Sequence, residues 1–383
     1  MLRITFAIFL FLLSLLVLFR APTNFFWRVA VAITEFPYIF IFLSLLLFIS
    51  CFWAVQYKYL SLAISGISFL IFCLPIYSAY QRGSNLESDF SKVFPSASPF
   101  GEEKLQQLES PFSFLKLFSG IGIKQIIPQN MIYKTFDGKN IALDFYPSSV
   151  TTKKSPCVIV IHGGSWSEGD LKQLPDLNSY LANRGYNVAS IDYRLAPEYK
   201  SPAPIEDTKD ALDFLCANSE KLNIDTNNFI LLGRSAGGQI ALVAAYSFHD
   251  PKIKGVISFY GPADMVWGAQ IKSNKWVLDV DQVFSAYLGG LLKDVPEKYH
   301  ESSACEYVNS NSTPTLLIHG KIDAMVSFNH SVRLQKKLND FHVKNYFLDL
   351  PNATHGCDFN INGPSGQLST YCVERFIASV VAQ

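Results

Sequence analysis

Phe229-Ile230-Leu231-Leu232-Gly233-Arg234-Ser235-Ala236-Gly237 is the stretch around which the rest of the chain organises. Its first four residues read as a buried strand, and the Ala- and Gly-rich residues 237–246 read as a helix. Between them stands Gly-x-Ser-x-Gly, the pattern of a sharp strand-to-helix turn that lifts a serine hydroxyl clear of the backbone. Gly233 and Gly237 have a steric reason to be there, because side chains two positions either side of Ser235 would collide in so tight a turn. The turn also sets the Ser235 oxygen near a helix N-terminus, where partial positive charge favours a developing anion. An ordinary βα turn is the bland reading of such common residues; the flanking strand and helix favour the reactive one.

Outward from this turn the pattern alternates. Residues 131–136 and 140–146 flank Asp137-Gly138, a hairpin signal because Gly accepts positive φ. Residues 157–161 and 187–193 read as strands, and 174–183 and 204–217 as helices. Beyond the serine come strands at 255–260, 315–318 and 346–350, with helices at 328–338 and 368–381. This order predicts an α/β domain over residues 130–383, with a mostly parallel sheet covered by helices on both faces. Residues 262–314 are the least regular and read as a helical insertion.

Chemistry concentrates where strands end. His162-Gly163-Gly164-Ser165-Trp166 closes the strand 157–161. Its glycines leave backbone N–H groups free to face a substrate oxygen, so Gly163 and Gly164, with Ala236, are the candidate oxyanion donors. His162 reads as a brace for this loop rather than a proton carrier. A serine needs a base, and of seven histidines His355 follows the last strand at the correct sheet edge. His319, before Gly320, reads as packing. Asp323 follows the strand 315–318 and supplies the chain order Ser, Asp, His; Asp264 and Asp358 are its rivals. Met265, Trp267 and Tyr287 in the insertion are candidate pocket residues.

The 383 residues carry 32 basic and 32 acidic side chains, with 49% hydrophobic and 17% charged residues. Zero net charge argues against a nucleic-acid partner, and the apolar content against a disordered chain. The charge is unevenly spread. Residues 1–82 hold only Arg3, Arg20, Arg28, Glu35, Lys58 and Arg82. They separate uncharged runs at 4–19, 36–57 and 59–81. About 20 apolar residues cross a bilayer core, so this region reads as two to three transmembrane helices. A cleaved signal peptide is the alternative for the first run, and a buried soluble hairpin for the others. With three spans, the basic residues favour a multi-pass protein with its C-terminal domain in the cytoplasm. Residues 83–129 read as a linker, rich in Ser and Pro at 88–99, with a short amphipathic helix at 113–118. The seven cysteines show no CxxC and no metal-ligand spacing; Cys357 and Cys372 could pair or stay free.

From about residue 131 the chain resembles the α/β-hydrolase carboxylesterases of the hormone-sensitive-lipase-like and feruloyl-esterase-like (BD-FAE-like) group. The resemblance rests on His162-Gly163-Gly164-Ser165-Trp166, Asp192-Tyr193-Arg194-Leu195-Ala196-Pro197-Glu198, Gly233-Arg234-Ser235-Ala236-Gly237-Gly238 and the Asp323 and His355 segments, in order. It implies an α/β-hydrolase fold and hydrolysis of a small-molecule carboxylic ester through an acyl-serine intermediate, with no metal or organic cofactor. Ser165 stands where many lipase-like members have a third Gly, which leans toward the feruloyl-esterase-like branch. Arg234 stands where an acidic residue is frequent; a salt bridge to Asp192 or Glu198 would neutralise it. An amidase or formamidase could use the same triad. A catalytically silent receptor or scaffold is disfavoured because Ser235 and His355 are both present. A membrane anchor suggests a lipid-derived substrate. Oligomeric state is not legible.

Overall fold

The computed structural model describes residues 1–95 and 108–381; residues 96–107 of the expected linker lie outside the described residues. The chain opens with helices α1 (Leu2–Ser14, prolonged by a 3-10 turn at Leu15–Val17), α2 (Asn24–Glu35), α3 (Pro37–Cys51) and α4 (Lys58–Val93). A short α5 (Lys116–Ser119) leads into β1 (Gln129–Phe136), β2 (Lys139–Tyr146), β3 (Ser155–Ile161), α6 (Pro175–Ala182) and β4 (Asn187–Ile191). Then follow α7 (Ala203–Ala217), α8 (Ser219–Leu222), β5 (Ile224–Arg234), α9 (Ala236–Ser247) and β6 (Ile253–Phe259). The insertion holds α10 (Met265–Gln270), α11 (Val280–Leu288), α12 (Pro296–Glu301) and α13 (Ala304–Tyr307). The chain closes with β7 (Thr315–Gly320), α14 (Asn329–Asp340), β8 (Asn345–Leu350) and α15 (Pro364–Val381).

The strands form one sheet in the order β1-β2-β4-β3-β5-β6-β7-β8. Pairing is parallel from β4 through to β8 and antiparallel at β1–β2 and β2–β4. At the β1–β2 hairpin Asp137 and Gly138 both take positive φ, 49° and 72°, the backbone a two-residue turn of matching twist requires. Every residue of β3 and β4 is buried, as expected of parallel strands covered on both faces. Cys157, Ile159 and Ile161 face a core completed by α7 and α9. Val158 and Val160 face a second core completed by α6, α15 and the C-terminal part of α4. Cys357 and Cys372 are both buried free thiols, so the conceivable disulfide is not formed.

The N-terminal region departs from expectation in three ways. First, residues 24–35, which lie between the first two uncharged runs and hold Arg28 and Glu35, form the helix α2. Thr23 caps it, its hydroxyl accepting from Phe26 N at 3.3 Å, as N-cap threonines do. Second, the chain bends by 86° between α2 and α3. Pro37 opens α3, and Phe36 before it is forced out of helical backbone, at φ −125° and ψ 47°. With 15 residues, α3 is about 22 Å long, short of a bilayer core of about 30 Å. Among the described residues one helix, α4, is long and apolar enough to cross a membrane.

Third, α4 does not stop at Arg82. It continues through the start of the expected linker, because Ala79, Gly83, Leu86 and Phe90 keep one face apolar and buried. Phe90 packs on Tyr346 at 4.9 Å between ring centroids, and Phe94, just past the helix, on Phe376 at 5.0 Å. Arg82 pairs with Asp349 at 3.2 Å. The apolar half of α4 and the sheet domain therefore share one helix. Replacing fully buried Phe90 with alanine should cost about 3–5 kcal/mol through the lost contacts and the cavity left behind. Leu70→Ala, at a side chain 65% exposed on the same helix, should leave thermal unfolding of the detergent-solubilised chain nearly unchanged.

Candidate active site

Ser235 sits between β5 and α9 with φ 52° and ψ −117°. A Cβ at Gly233 would strike the Gly237 carbonyl, and one at Gly237 the carbonyls of Ile161 and His162. Ser235 N donates to Phe259 O at 2.9 Å, tying the turn to the end of β6. Two loops at the same sheet edge complete a hydrogen-bonded chain. His355, after β8, sets Nε2 3.0 Å from Ser235 Oγ and Nδ1 2.8 Å from Asp323 Oδ2. Asp323, after β7, is buried, and its other oxygen accepts from Met325 N at 2.8 Å and Val326 N at 2.9 Å. An imidazole so placed can take a hydroxyl proton while the carboxylate stabilises the resulting cation.

Asp323 has a further partner that the sequence reading assigned to packing alone. His319 Nε2 lies 3.1 Å from Asp323 Oδ2 and 3.1 Å from Val326 O, while its Nδ1 meets Ser331 Oγ at 2.8 Å. Because the Val326 carbonyl can only accept, Nε2 carries the proton and Nδ1 receives the serine hydroxyl. Burial pushes the Asp323 carboxyl up, but His355 and His319 outweigh it and hold the group well below the usual carboxylate range. The signal was the spacing His319-Gly320-Lys321-Ile322-Asp323, which folds the histidine back onto the acid.

The rival acids are committed elsewhere. Asp264 caps α10 through Trp267 N at 2.9 Å and pairs with Arg333 at 2.7 Å. Asp358 pairs with Arg234 and accepts from Tyr260 Oη. This corrects the expected partners of Arg234, Asp192 and Glu198. Asp192 instead accepts from Leu171 N, and Glu198 pairs with Lys139. The side chains of the Arg234–Asp358 pair are buried, at 2% and 6% exposed. Burial, then the neighbouring Asp358, push the Tyr260 hydroxyl well up, so it stays neutral and donates.

The glycine-rich loop after β3 is braced as read. His162 Nδ1 donates to Gly163 O at 2.7 Å, its ring stacks on Tyr193 at 4.2 Å, and burial lowers its pKa. Trp166 donates from Nε1 to Gln239 at 2.9 Å and stacks on Tyr287 at 4.4 Å. One expected oxyanion donor is occupied: Gly163 N donates to Gln173 Oε1 at 2.8 Å. Ala236 N, at the first turn of α9, has no acceptor within its helix. Among the described residues no group of three or more His, Cys, Asp or Glu side chains is placed to share a metal ion.

Residues 143–338, a little over half of the chain, match the BD-FAE family. The chain belongs to that family. Its fold is the α/β-hydrolase fold, shared with a bacterial heroin esterase at a TM-score of 0.57 and 20% identity, over 66% of this chain and 83% of that one. An acetyl ester-xyloside bifunctional hydrolase from Caldicellulosiruptor lactoaceticus aligns at a TM-score of 0.57 and 22% identity, over 67% and 98%. Among curated relatives, Esterase LipC of Mycobacterium tuberculosis is 27% identical over 243 residues, 60% of this chain and 59% of that protein. The probable carboxylic ester hydrolase LipM of the same organism is 24% identical over 255 residues, 62% and 57%. This BD-FAE chain thus spans less than two thirds of the length of those relatives.

Two cavities meet at Ser235 in this BD-FAE site. The smaller, about 300 Å³, runs under the insertion and is lined by Trp166, Ile271, Leu278, Val283 and Phe284. The residues expected to line it do not: Met265 and Tyr287 are fully buried behind it, and Trp267 lies against His330. The larger cavity, about 620 Å³, holds His355, Gly163 and Gly164 as well as Ser235. One of its walls comes from α2, which the sequence reading left out of the site altogether.

The buried ion pair gives a test of this arrangement. Asp358→Asn leaves the Arg234 charge without its partner and should cost about 3–5 kcal/mol. Tyr260→Phe removes one hydrogen bond and should cost about 1 kcal/mol. Denaturant unfolding of the two variants beside the parent checks both the size and the order.

Proposed function

We propose that this BD-FAE protein is a membrane-anchored serine hydrolase that cleaves carboxylic esters through an acyl-serine intermediate. The observation that carries the reading is the unbroken hydrogen-bond chain from Ser235 Oγ through His355 to Asp323. The esterase names of its relatives support it.

In this reading His355 Nε2 takes the Ser235 proton as Oγ attacks the acyl carbonyl, and the new C–O bond makes a tetrahedral oxyanion. Gly164 and Ala236 N–H groups receive that oxyanion; Gly163, whose N–H is held by Gln173, shapes the loop instead. His355 returns its proton to the departing alcohol. Water then attacks the acyl carbon as His355 takes its proton; the bond from Ser235 Oγ to the acyl carbon breaks, His355 returns the proton to Ser235 Oγ, and the acid leaves. Asp323, with its charge fixed by His319 and two N–H groups, holds the imidazole in register throughout. Anchoring is assigned to α4, whose residues 59–81 are uncharged, with α1 and α3 packed along it.

The test is hydrolysis of ethyl butyrate and p-nitrophenyl butyrate by the detergent-solubilised full chain beside Ser235→Ala. The variant should lose about 10⁴-fold or more in kcat, the scale seen when a triad nucleophile is removed. A fluorophosphonate probe should label the parent and not the variant. Equal rates in parent and variant, with no labelling, would sink the proposal.

A further inference from the structure

α2 lies outside the residues that match the BD-FAE family, which begin at 143, yet it is bound to the site at both ends. At its start Asn24 N donates to Trp276 O at 2.9 Å, and Asn274 Nδ2 to Pro22 O at 2.9 Å, joining it to the insertion. At its end Asn360 Nδ2 donates to Glu35 O at 2.9 Å, joining it to the segment after β8. Between these points Trp27 Nε1 donates to the backbone oxygen of His355 at 2.9 Å, and the two rings stand edge to face at 6.2 Å. Ala324, the neighbour of Asp323, packs against the buried cluster of the N-terminal helices.

The larger cavity has Ser235 and His355 on its floor and Trp27, Val31, Ala32 and Phe36 of the N-terminal region along one wall. Its lining is mainly apolar, and its 620 Å³ lies within the range of about 300–1,000 Å³ typical of ligand sites. At its far end Phe36 meets Phe359 at 6.5 Å and Tyr38 at 6.4 Å, and Tyr38 meets Phe118 at 5.1 Å. Tyr38 and Phe118 belong to a further groove of about 880 Å³ whose other walls, Ile41, Leu45, Ile76 and Tyr77, come from α3 and the apolar half of α4. That groove is almost wholly apolar. The path from the serine thus leads along α2 and past Phe36 to the face of the helix assigned to the bilayer. The smaller cavity is the more polar of the two; charged side chains occur in both linings, Arg20 and Lys272 in the smaller, Arg28, Glu168 and Arg234 in the larger.

We propose that α2 is part of the substrate site and that the substrate is an ester of a long-chain apolar alcohol, drawn from the bilayer. The inference rests on the ester-hydrolase reading above. The alkyl chain lies against α2 in the larger cavity and extends past Phe36 toward the α3–α4 groove. Its assignment to the alcohol side follows from His355, which must protonate the leaving oxygen and which lines the larger cavity but not the smaller one. The smaller cavity receives the acyl group.

The experiment compares kcat/KM for dodecyl butyrate and ethyl butyrate in the full chain and three variants. Ala32→Trp puts an indole into the cavity at an exposed position and should lower the dodecyl-to-ethyl ratio at least 10-fold. Phe36→Ala opens the far end and should move the preferred alcohol to longer chains. Phe25→Trp, on an exposed side chain outside the cavity, should leave the ratio as in the parent. In phosphatidylcholine vesicles, dodecyl butyrate should turn over faster when it shares the enzyme's vesicles than when it is supplied in separate ones. A ratio unmoved by both Ala32→Trp and Phe36→Ala, in a parent that hydrolyses ethyl butyrate, overturns the inference alone; equal vesicle rates overturn the bilayer route. A parent that neither hydrolyses any ester nor takes the fluorophosphonate probe overturns the ester-hydrolase reading, and this inference with it.

Discussion

The backbone of Ser235, held at φ 52° and ψ −117° between β5 and α9, is the constraint on which the site depends. A non-glycine residue pays for this region in steric strain, and only rigid surroundings keep it there. Those surroundings are the two flanking strands and the glycines at 233 and 237, which let the α9 backbone pass against the end of β3. The same reversal that strains the residue points its hydroxyl out of the sheet edge. It also fixes where the loops after β7 and β8 must deliver an acid and a base. Parallel strands make this possible, because their carboxyl ends all lie on one edge.

Around that hydroxyl the electrostatics is divided into two buried clusters. In the first, Asp323 gathers two histidines and two backbone N–H groups. Four donors stabilise the anion more than burial penalises it, so the carboxylate is charged and its lone pairs are directed. In the second, Arg234 and Tyr260 converge on Asp358. The Arg234 cation is paired where it stands, beside Ser235, and it also lines the larger cavity. The Tyr260 ring lies 4.4 Å from the His355 ring and the Trp27 ring 6.2 Å from it, so the imidazole has a neutral phenol and an indole as ring neighbours. The first cluster is mostly local, with three of its donors within four residues of Asp323; the second depends on pairings made between distant parts of the chain.

That distance explains what could be read in the sequence. The strands and the Asp137-Gly138 hairpin were legible because local period and turn chemistry decide them. Ser235, Asp323 and His355 were legible as candidates because each follows a strand, and the structure brings all three together. The partner of Arg234 was not, since Asp358 lies 124 residues away and no local rule selects it over Asp192 or Glu198. The end of α4 was misread because charge reappears at Arg82, while the apolar period that governs burial continues to Phe90. Helix α2 carried a Thr23 cap and an amphipathic pattern, but the uncharged runs on either side of it drew attention to length rather than period. The place of α2 beside the serine is set wholly by tertiary contacts.

The continuity of α4 then ties the sheet domain to the long apolar helix. Its uncharged residues 59–81 amount to about 35 Å of helix, enough to cross a hydrocarbon core of about 30 Å. The rest of the helix, from Arg82 to Val93, is packed into the sheet domain. No flexible joint separates the two parts, so the orientation of α4 sets that of the sheet. The 86° bend at Phe36 turns α2 across the direction of α3, which packs along α4. If α4 spans a membrane as proposed, a single helix shared with the sheet domain, and a cavity wall made from the same N-terminal region, would hold Ser235 in one orientation to that membrane, where a loose tether would not.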